Sequence, residues 1–285
     1  MTHSQAGLNR VIVALTRAKL TGVTEHTLAV ASARLAEDAL FLDEMTEAQL
    51  GAALLTRVRY PLDPSEMSHF LSSAPALTPN LLAAEQITDE HAQHYVRWLP
   101  GFLSDPATVT SQNARVLMGW LASHRAEAIR AKPDGLAMLR RVADDPTTSP
   151  KSSAYIAFML GACGTMDDYD RVIQHAERVI EHDRERIDLV AEGLYRLYPP
   201  ALINALNFFL EGLRPDLKSK QAMTGLYLLE KVVEFEDSDF WKQFYDEMDA
   251  ILGRLRDLKT ENTWLERLGD QLEKQLAYAG FEEDA

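Results

Sequence analysis

The chain has 285 residues, 46% hydrophobic and 25% charged, enough apolar material for one substantial core and too much for a generally disordered chain. Its formal charge of −14 argues against sequence-independent binding to phosphate backbones and suits a basic protein partner, although excess acid also serves solubility alone. A single cysteine excludes an internal disulfide framework and fits a reducing compartment, and no apolar run reaches the roughly 18 residues that span a bilayer.

The first 24 residues carry Arg10, Arg17 and Lys19 and no acid. They lack the long apolar core of a secretory signal, and Val11, Leu15 and Ala18 share one face of a predicted amphipathic helix over Leu8–Leu20. A cytoplasmic protein is expected. Thr46 and Gln49 then have capping-box spacing, as do Thr263 and Glu266 near the other end. Thr78-Pro79 and Ser149-Pro150 each place a hydroxyl ahead of a proline suited to a first helical position. With only 14 Gly and 12 Pro, and no convincing apolar–polar alternation, the chain reads as all-α.

Three Asp-Pro steps, Asp63-Pro64, Asp105-Pro106 and Asp145-Pro146, stand 42 and 40 residues apart. Proline lacks an N–H and biases its predecessor away from helix, so each step can end one helix and admit another. Nine positions before each Asp stand Leu54, Val96 and Leu136, and three before stand Tyr60, Phe102 and Val142. Nine after stand Ser72, Ala114 and Ala154, the last two small enough for close helix approach. Over about residues 50–165 this resembles a HEAT or armadillo-like helical repeat. The resemblance implies stacked antiparallel hairpins, the alternative being an irregular multi-helix bundle. The loops after Asp-Pro are longer than the family's turn, and only Arg115 and Lys151 can stand for its usual basic residue.

Beyond 165 the rhythm stops, but helices are predicted over Thr165–His182, Ile187–Leu197, Ala201–Leu213, Leu217–Phe235, Phe240–Leu258 and Trp264–Ala279. The first turns Tyr169, Val172, Ile173, Ala176 and Ile180 inward. Pro199-Pro200 ends the second, and the third, apolar almost all round, belongs inside a domain. Its only polar stripe, Asn204, Asn207 and Glu211, either lines a groove or satisfies buried carbonyls. The last buries Leu265, Leu268, Leu272 and Leu276 and can close at Gly280. One helical domain over 1–285 is expected, with an N-terminal subdomain over 1–76 as the alternative division, marked by the Ser-, Ala- and Pro-rich stretch Leu71–Pro79.

Catalytic chemistry finds little support. His91 and His94 lie three apart beside Asp89 and Glu90, a spacing that could hold zinc or iron, yet it lacks the i, i+4 histidines of zincins and reads equally as a polar first turn. Glu66 and His69 make one Glu-x-x-His pair where a di-iron bundle needs two. His175 and His182 fit a solvated face with Arg178 and Glu185. Cys163, in Gly161-Ala-Cys-Gly-Thr165, has acids nearby and no base, so it reads as a small packed thiol. No nucleophile elbow, phosphate loop or dinucleotide fingerprint occurs. No cofactor is expected.

The C-terminal third is the most suggestive. From Leu228 to Ala285 there are 16 acids against 7 bases. Between Glu230 and Asp249 they interleave with Phe235, Phe240, Trp241, Phe244, Tyr245 and Met248. Aromatic anchors ringed by acid suit a protein-binding patch, although the same aromatics have the 3–4 spacing of a core stripe. Glu234, Glu236, Asp237, Asp239, Trp241 and Tyr245 are the candidate partner-binding residues, and His91 and His94 the candidate metal ligands.

The expected function is a non-enzymatic, acidic α-helical scaffold holding a basic protein partner. The alternatives are a bacterial immunity or antitoxin-like inhibitor and a helical metal-dependent enzyme. Nucleic-acid binding requires Arg115, Arg125, Arg130, Lys132, Arg140 and Arg141 to form one stripe.

Overall fold

The computed structural model describes residues 88–103, 109–258 and 262–281, together with Pro64, Ser68 and Leu71. The Leu8–Leu20 helix, the first two Asp-Pro steps as wholes, the Thr46 and Thr78 caps, the Glu66–His69 pair and any boundary at 76 lie outside these residues. Contacts cluster into two compact units, Met1–Ser152 and Ser153–Ala285. All regular structure among the described residues is helical, without a strand. No helix among them is long and apolar enough to cross a membrane.

The first unit contains α1 (Asp89–Tyr95), α2 (Val109–His124), α3 (Ala126–Arg130) and α4 (Ala137–Asp144). Thr88 caps α1 in a reciprocal box: its hydroxyl accepts from His91 N–H and its own N–H donates to His91 Nδ1. Gln93 ties α1 to α3 through a 2.7 Å bond to the Ala128 carbonyl. Asp145 is extended (ψ 114°) and ends α4, the geometry a following proline favours. Ser149-Pro150 departs from expectation. Pro150 opens a short 3-10 turn rather than an α-helix, and the buried Ser149 hydroxyl has no hydrogen-bond partner. Instead Thr148 fastens the loop by donating to the Val142 carbonyl at 2.7 Å. Of the aligned repeat positions, Val96, Leu136, Val142, Ala114 and Ala154 are buried.

The second unit contains α5 (Ser153–Cys163), α6 (Tyr169–His182), α7 (Ile187–Leu197), α8 (Pro199–Leu210), α9 (Lys220–Val232), α10 (Ser238–Gln243), α11 (Tyr245–Asp257) and α12 (Thr263–Phe281). Helix α5 is buried on every side except at Tyr155 and crosses α7 at Gly161 and Gly193. A Cβ on Gly161 would stand 2.1 Å from the Gly193 carbonyl oxygen, so the two backbones meet there. Helix α7 has the predicted bounds, because the diproline that ends it supplies the first turn of α8.

Several boundaries differ from expectation for local reasons. Residues 165–168 form a 3-10 turn closed by Asp168, whose carboxylate accepts from Thr165 N–H at 3.1 Å. The buried face of α6 is rotated toward Val172, His175, Ala176 and Val179, leaving Ile173 and Ile180 half-buried. His175, expected on a solvated face, is 1% exposed. Helix α9 starts at Lys220 because Leu217 takes a left-handed φ of 49° and Ser219 provides the cap. The predicted Phe240–Leu258 helix breaks at Phe244 (φ −114°) into α10 and α11. Helix α12 buries all four predicted leucines but runs through Gly280 to Phe281.

The cap of α12 is Asn262, not Thr263. Its side-chain oxygen accepts from Trp264 N–H at 2.9 Å and Leu265 N–H at 3.4 Å. Asn262→Ala is expected to cost about 1 kcal/mol, while Thr263→Ala changes stability by a few tenths at most; urea titration distinguishes the two.

Helix α12 is pinned along its length. Trp264 Nε1 donates to Glu230 at 3.1 Å, Arg267 pairs with the same carboxylate at 3.2 Å, and Gln275 donates to the Val233 carbonyl at 2.8 Å. These bonds bring the C-terminal turns of α12 beside the segment that joins α9 to α10.

Candidate functional site

Helix α9 ends at Val232, and the chain turns through Glu234-Phe-Glu-Asp237 into α10. Asp237 makes the turn possible. One carboxylate oxygen accepts from the N–H groups of Asp239 (3.0 Å) and Phe240 (3.2 Å), and the other accepts the Tyr195 hydroxyl from α7. Three donors favour the ionised form, so the Asp237 carboxyl lies below its ordinary value, the Tyr195 bond contributing most. The same bond, with burial adding to it, pushes the Tyr195 phenol up to about 12. The Tyr195 ring is itself set edge-on against Phe235 and Phe240, with centroids 5.5 and 5.7 Å away.

Two hollows flank α10. The larger, about 420 Å³, is walled by Lys242, Gln243, Tyr245, Asp246 and Glu247, with Ala279 and Gly280 of α12 opposite. The smaller, about 210 Å³, is formed by Phe235, Glu236, Ser238 and Trp241 on one side and Gln275, Tyr278 and Ala279 on the other. Ala279 belongs to both, so the hollows adjoin. Asp246 and Glu247 occupy the first turn of α11, where the helix dipole favours carboxylates. Glu236, Asp239, Asp246 and Glu247 are exposed. Among the described residues, Tyr245 and Tyr278, 39% and 65% exposed, are two of the few large apolar side chains open to solvent.

The six predicted partner-binding residues divide on inspection. Glu236, Asp239 and Tyr245 are on the surface. Glu234 is exposed, but it is bonded to the Lys231 ammonium at 3.0 Å, which offsets its charge. Asp237 is occupied in capping and in the Tyr195 bond. Trp241 is 3% exposed and its indole N–H donates to the Phe235 carbonyl at 2.9 Å, so it forms a wall rather than a projecting anchor. Phe240, Phe244, Met248 and Leu252 are core, as their spacing allowed. Sequence reasoning missed Asp246, Glu247, Gln275 and Tyr278. Tyr278 had a readable signal: it stands off the Leu265–Leu268–Leu272–Leu276 stripe, and an aromatic off the buried stripe of a pinned helix is a surface aromatic.

The other candidates have local duties. His91 accepts the Thr88 N–H, and both His91 and His94 pack against Tyr95, with His94 edge-on to Trp98. Among the described residues, no three His, Cys, Asp or Glu side chains are grouped as a metal would require. Cys163 is buried at the end of α5. Asn207, half-buried on α8, accepts from Arg254 of α11. Among the clustered bases, Arg125 pairs with Asp89 at 3.5 Å and lies over the Trp120 ring, and Arg140 donates to the Pro133 carbonyl.

No protein-family model, curated protein or solved structure matches the chain.

Proposed function

We propose that the chain is a non-enzymatic protein-interaction module, a helical scaffold of the HEAT-like kind its Asp-Pro spacing suggests, that holds a basic protein partner at the adjoining hollows beside α10. One observation supports this reading above the rest. Three exposed carboxylates, Glu236, Asp246 and Glu247, and two exposed tyrosines line concave surface at the end of α12, and a fourth carboxylate, Asp239, is exposed on α10 next to Ser238. Rigid aromatic rings contribute burial at low entropic cost, and the acids attract and orient a cationic surface.

The test is a charge-neutralised chain, Glu236→Gln, Asp239→Asn, Asp246→Asn and Glu247→Gln. It spares Asp237 and Glu234, which have structural roles. Partners captured by the native chain at low salt are expected to be basic and to be released as salt rises. The variant should bind the same purified partner at least about tenfold more weakly, with a shallower salt dependence and a slower association rate. Equal affinity and equal salt slope would remove the site. A captured partner that is acidic, or bound equally at all salt concentrations, would remove the reading itself.

A further inference from the structure

We infer that the smaller hollow is an ammonium-accepting aromatic pocket that seats the side-chain head of a lysine from the partner; this rests on the interaction reading above and names its anchor. Phe235, Trp241 and Tyr278 bring three aromatic rings to one hollow of about 210 Å³ from three separate elements: the turn after α9, α10 and α12. The faces of such rings attract cations, most strongly where water is partly excluded.

The polar lining selects the same charge. Two of the hollow's N–H donors are already engaged, the Trp241 indole N–H at the Phe235 carbonyl (2.9 Å) and a Gln275 amide N–H at the Val233 carbonyl (2.8 Å). The rest of the lining offers the Glu236 carboxylate, the Ser238 and Tyr278 hydroxyls and the aromatic side chains. The formal charge in this lining is the Glu236 carboxylate, which repels an anion, whereas an alkylammonium finds a counter-charge, hydroxyl oxygens and apolar walls for its last methylenes. Tyr278 already attracts a cation of the chain itself, since Lys274 Nζ lies 6.0 Å from its ring centroid. At 65% exposure the Tyr278 ring can also take a ligand on its open surface. The larger hollow shares Ala279 and adds two carboxylates, Asp246 and Glu247, beside Lys242.

The probes are the blocked amino acids N-acetyl-lysine methylamide, its Nε-trimethyl form and the neutral isostere N-acetyl-norleucine methylamide, titrated into the full chain while the Trp241 indole resonance is followed by NMR. Both ammonium compounds should shift it saturably, and norleucine should not. Tyr278→Ala should weaken ammonium binding about fivefold or more, and Tyr278→Phe should retain it. A tighter trimethyl form identifies a methylated lysine as the source; an equal or weaker one identifies the unmodified residue. An unmoved Trp241 signal, or an equal response to norleucine, overturns the pocket. The two readings fail separately. A chain that keeps its salt-dependent partner but ignores both ammonium probes loses only the pocket, and one that binds them but holds no basic protein loses the interaction reading.

Discussion

Gly161→Ala is expected to destabilise the second unit by about 3 kcal/mol or more and to lower its Tm by roughly 10 °C, whereas Gly253→Ala stabilises it by about 0.5–1 kcal/mol. Both changes add one methyl to a helix, so helix propensity alone favours both. The difference is what the methyl meets. At Gly161 it would stand 2.1 Å from the Gly193 carbonyl oxygen and 2.3 Å from its carbon, inside any real contact distance. The obstacle is backbone at the centre of another helix and cannot rotate away like a side chain. Helices α5 and α7 would have to separate, opening gaps around Leu160, Leu194 and Val190, all fully buried. At Gly253 nothing lies within 4 Å. Urea titration of both variants reads the contrast, and two changes of the same sign would refute the crossing.

That crossing also marks the limit of what the sequence discloses. The bounds of α7 are readable because its apolar spacing is regular and Pro199-Pro200 forbids continuation. The four leucines of α12, the core aromatics Phe240 and Trp241 of α10, and Met248 and Leu252 of α11 follow from periodicity in the same way. Gly161 is different: in the sequence it is a punctuation mark before Cys163, and its partner Gly193 looks like a tolerated flaw inside a helix. Only the tertiary approach joins them. The break at Phe244 is hidden because Phe240, Phe244 and Met248 keep an unbroken helical rhythm while the backbone between them turns. His175 deceived for a related reason: it is polar and reads as surface, yet it is buried. Asp168 is a polar residue buried in the same way, where it closes a turn with Thr165 and Arg171. The acids of the candidate site were legible as composition, but not their division of labour, since the sequence does not reveal which carboxylate will be claimed by a neighbouring hydroxyl.

Asp237 is the carboxylate so claimed, and removing it is expected to disturb both the fold and the site. Asp237→Ala abolishes the cap of α10 and the acceptor for Tyr195 together, at a cost of about 2–3 kcal/mol. Asp237→Asn keeps a capping oxygen and should cost about 1 kcal/mol, and Tyr195→Phe, which keeps the ring against Phe235 and Phe240, a similar amount. Because the two groups share one bond, the double change Asp237→Ala with Tyr195→Phe should cost less than the sum of its parts. The pH dependence has a definite sign. Asp237 titrates below the ordinary carboxylate value when folded, so its contribution is complete above about pH 4 and fades as pH falls toward the folded value. The advantage of the native chain over Asp237→Asn should therefore shrink on acidification. Tyr195 gives the opposite limb. Raised to about 12, it contributes fully below about pH 10 and loses that contribution as pH climbs through the folded value. Followed by NMR of labelled tyrosine, Tyr195 in Asp237→Asn should titrate closer to 10, and an unchanged Tyr195 titration would mean that burial, not Asp237, sets it. The consequence reaches the hollows, because Asp237 fixes the turn that presents Glu236, Ser238 and Trp241. Asp237→Ala should weaken partner binding even though this carboxylate is spent inside the protein. Tyr195→Phe separates the two effects: it leaves the capping oxygen and the charge at 237 in place, so binding should persist while stability falls.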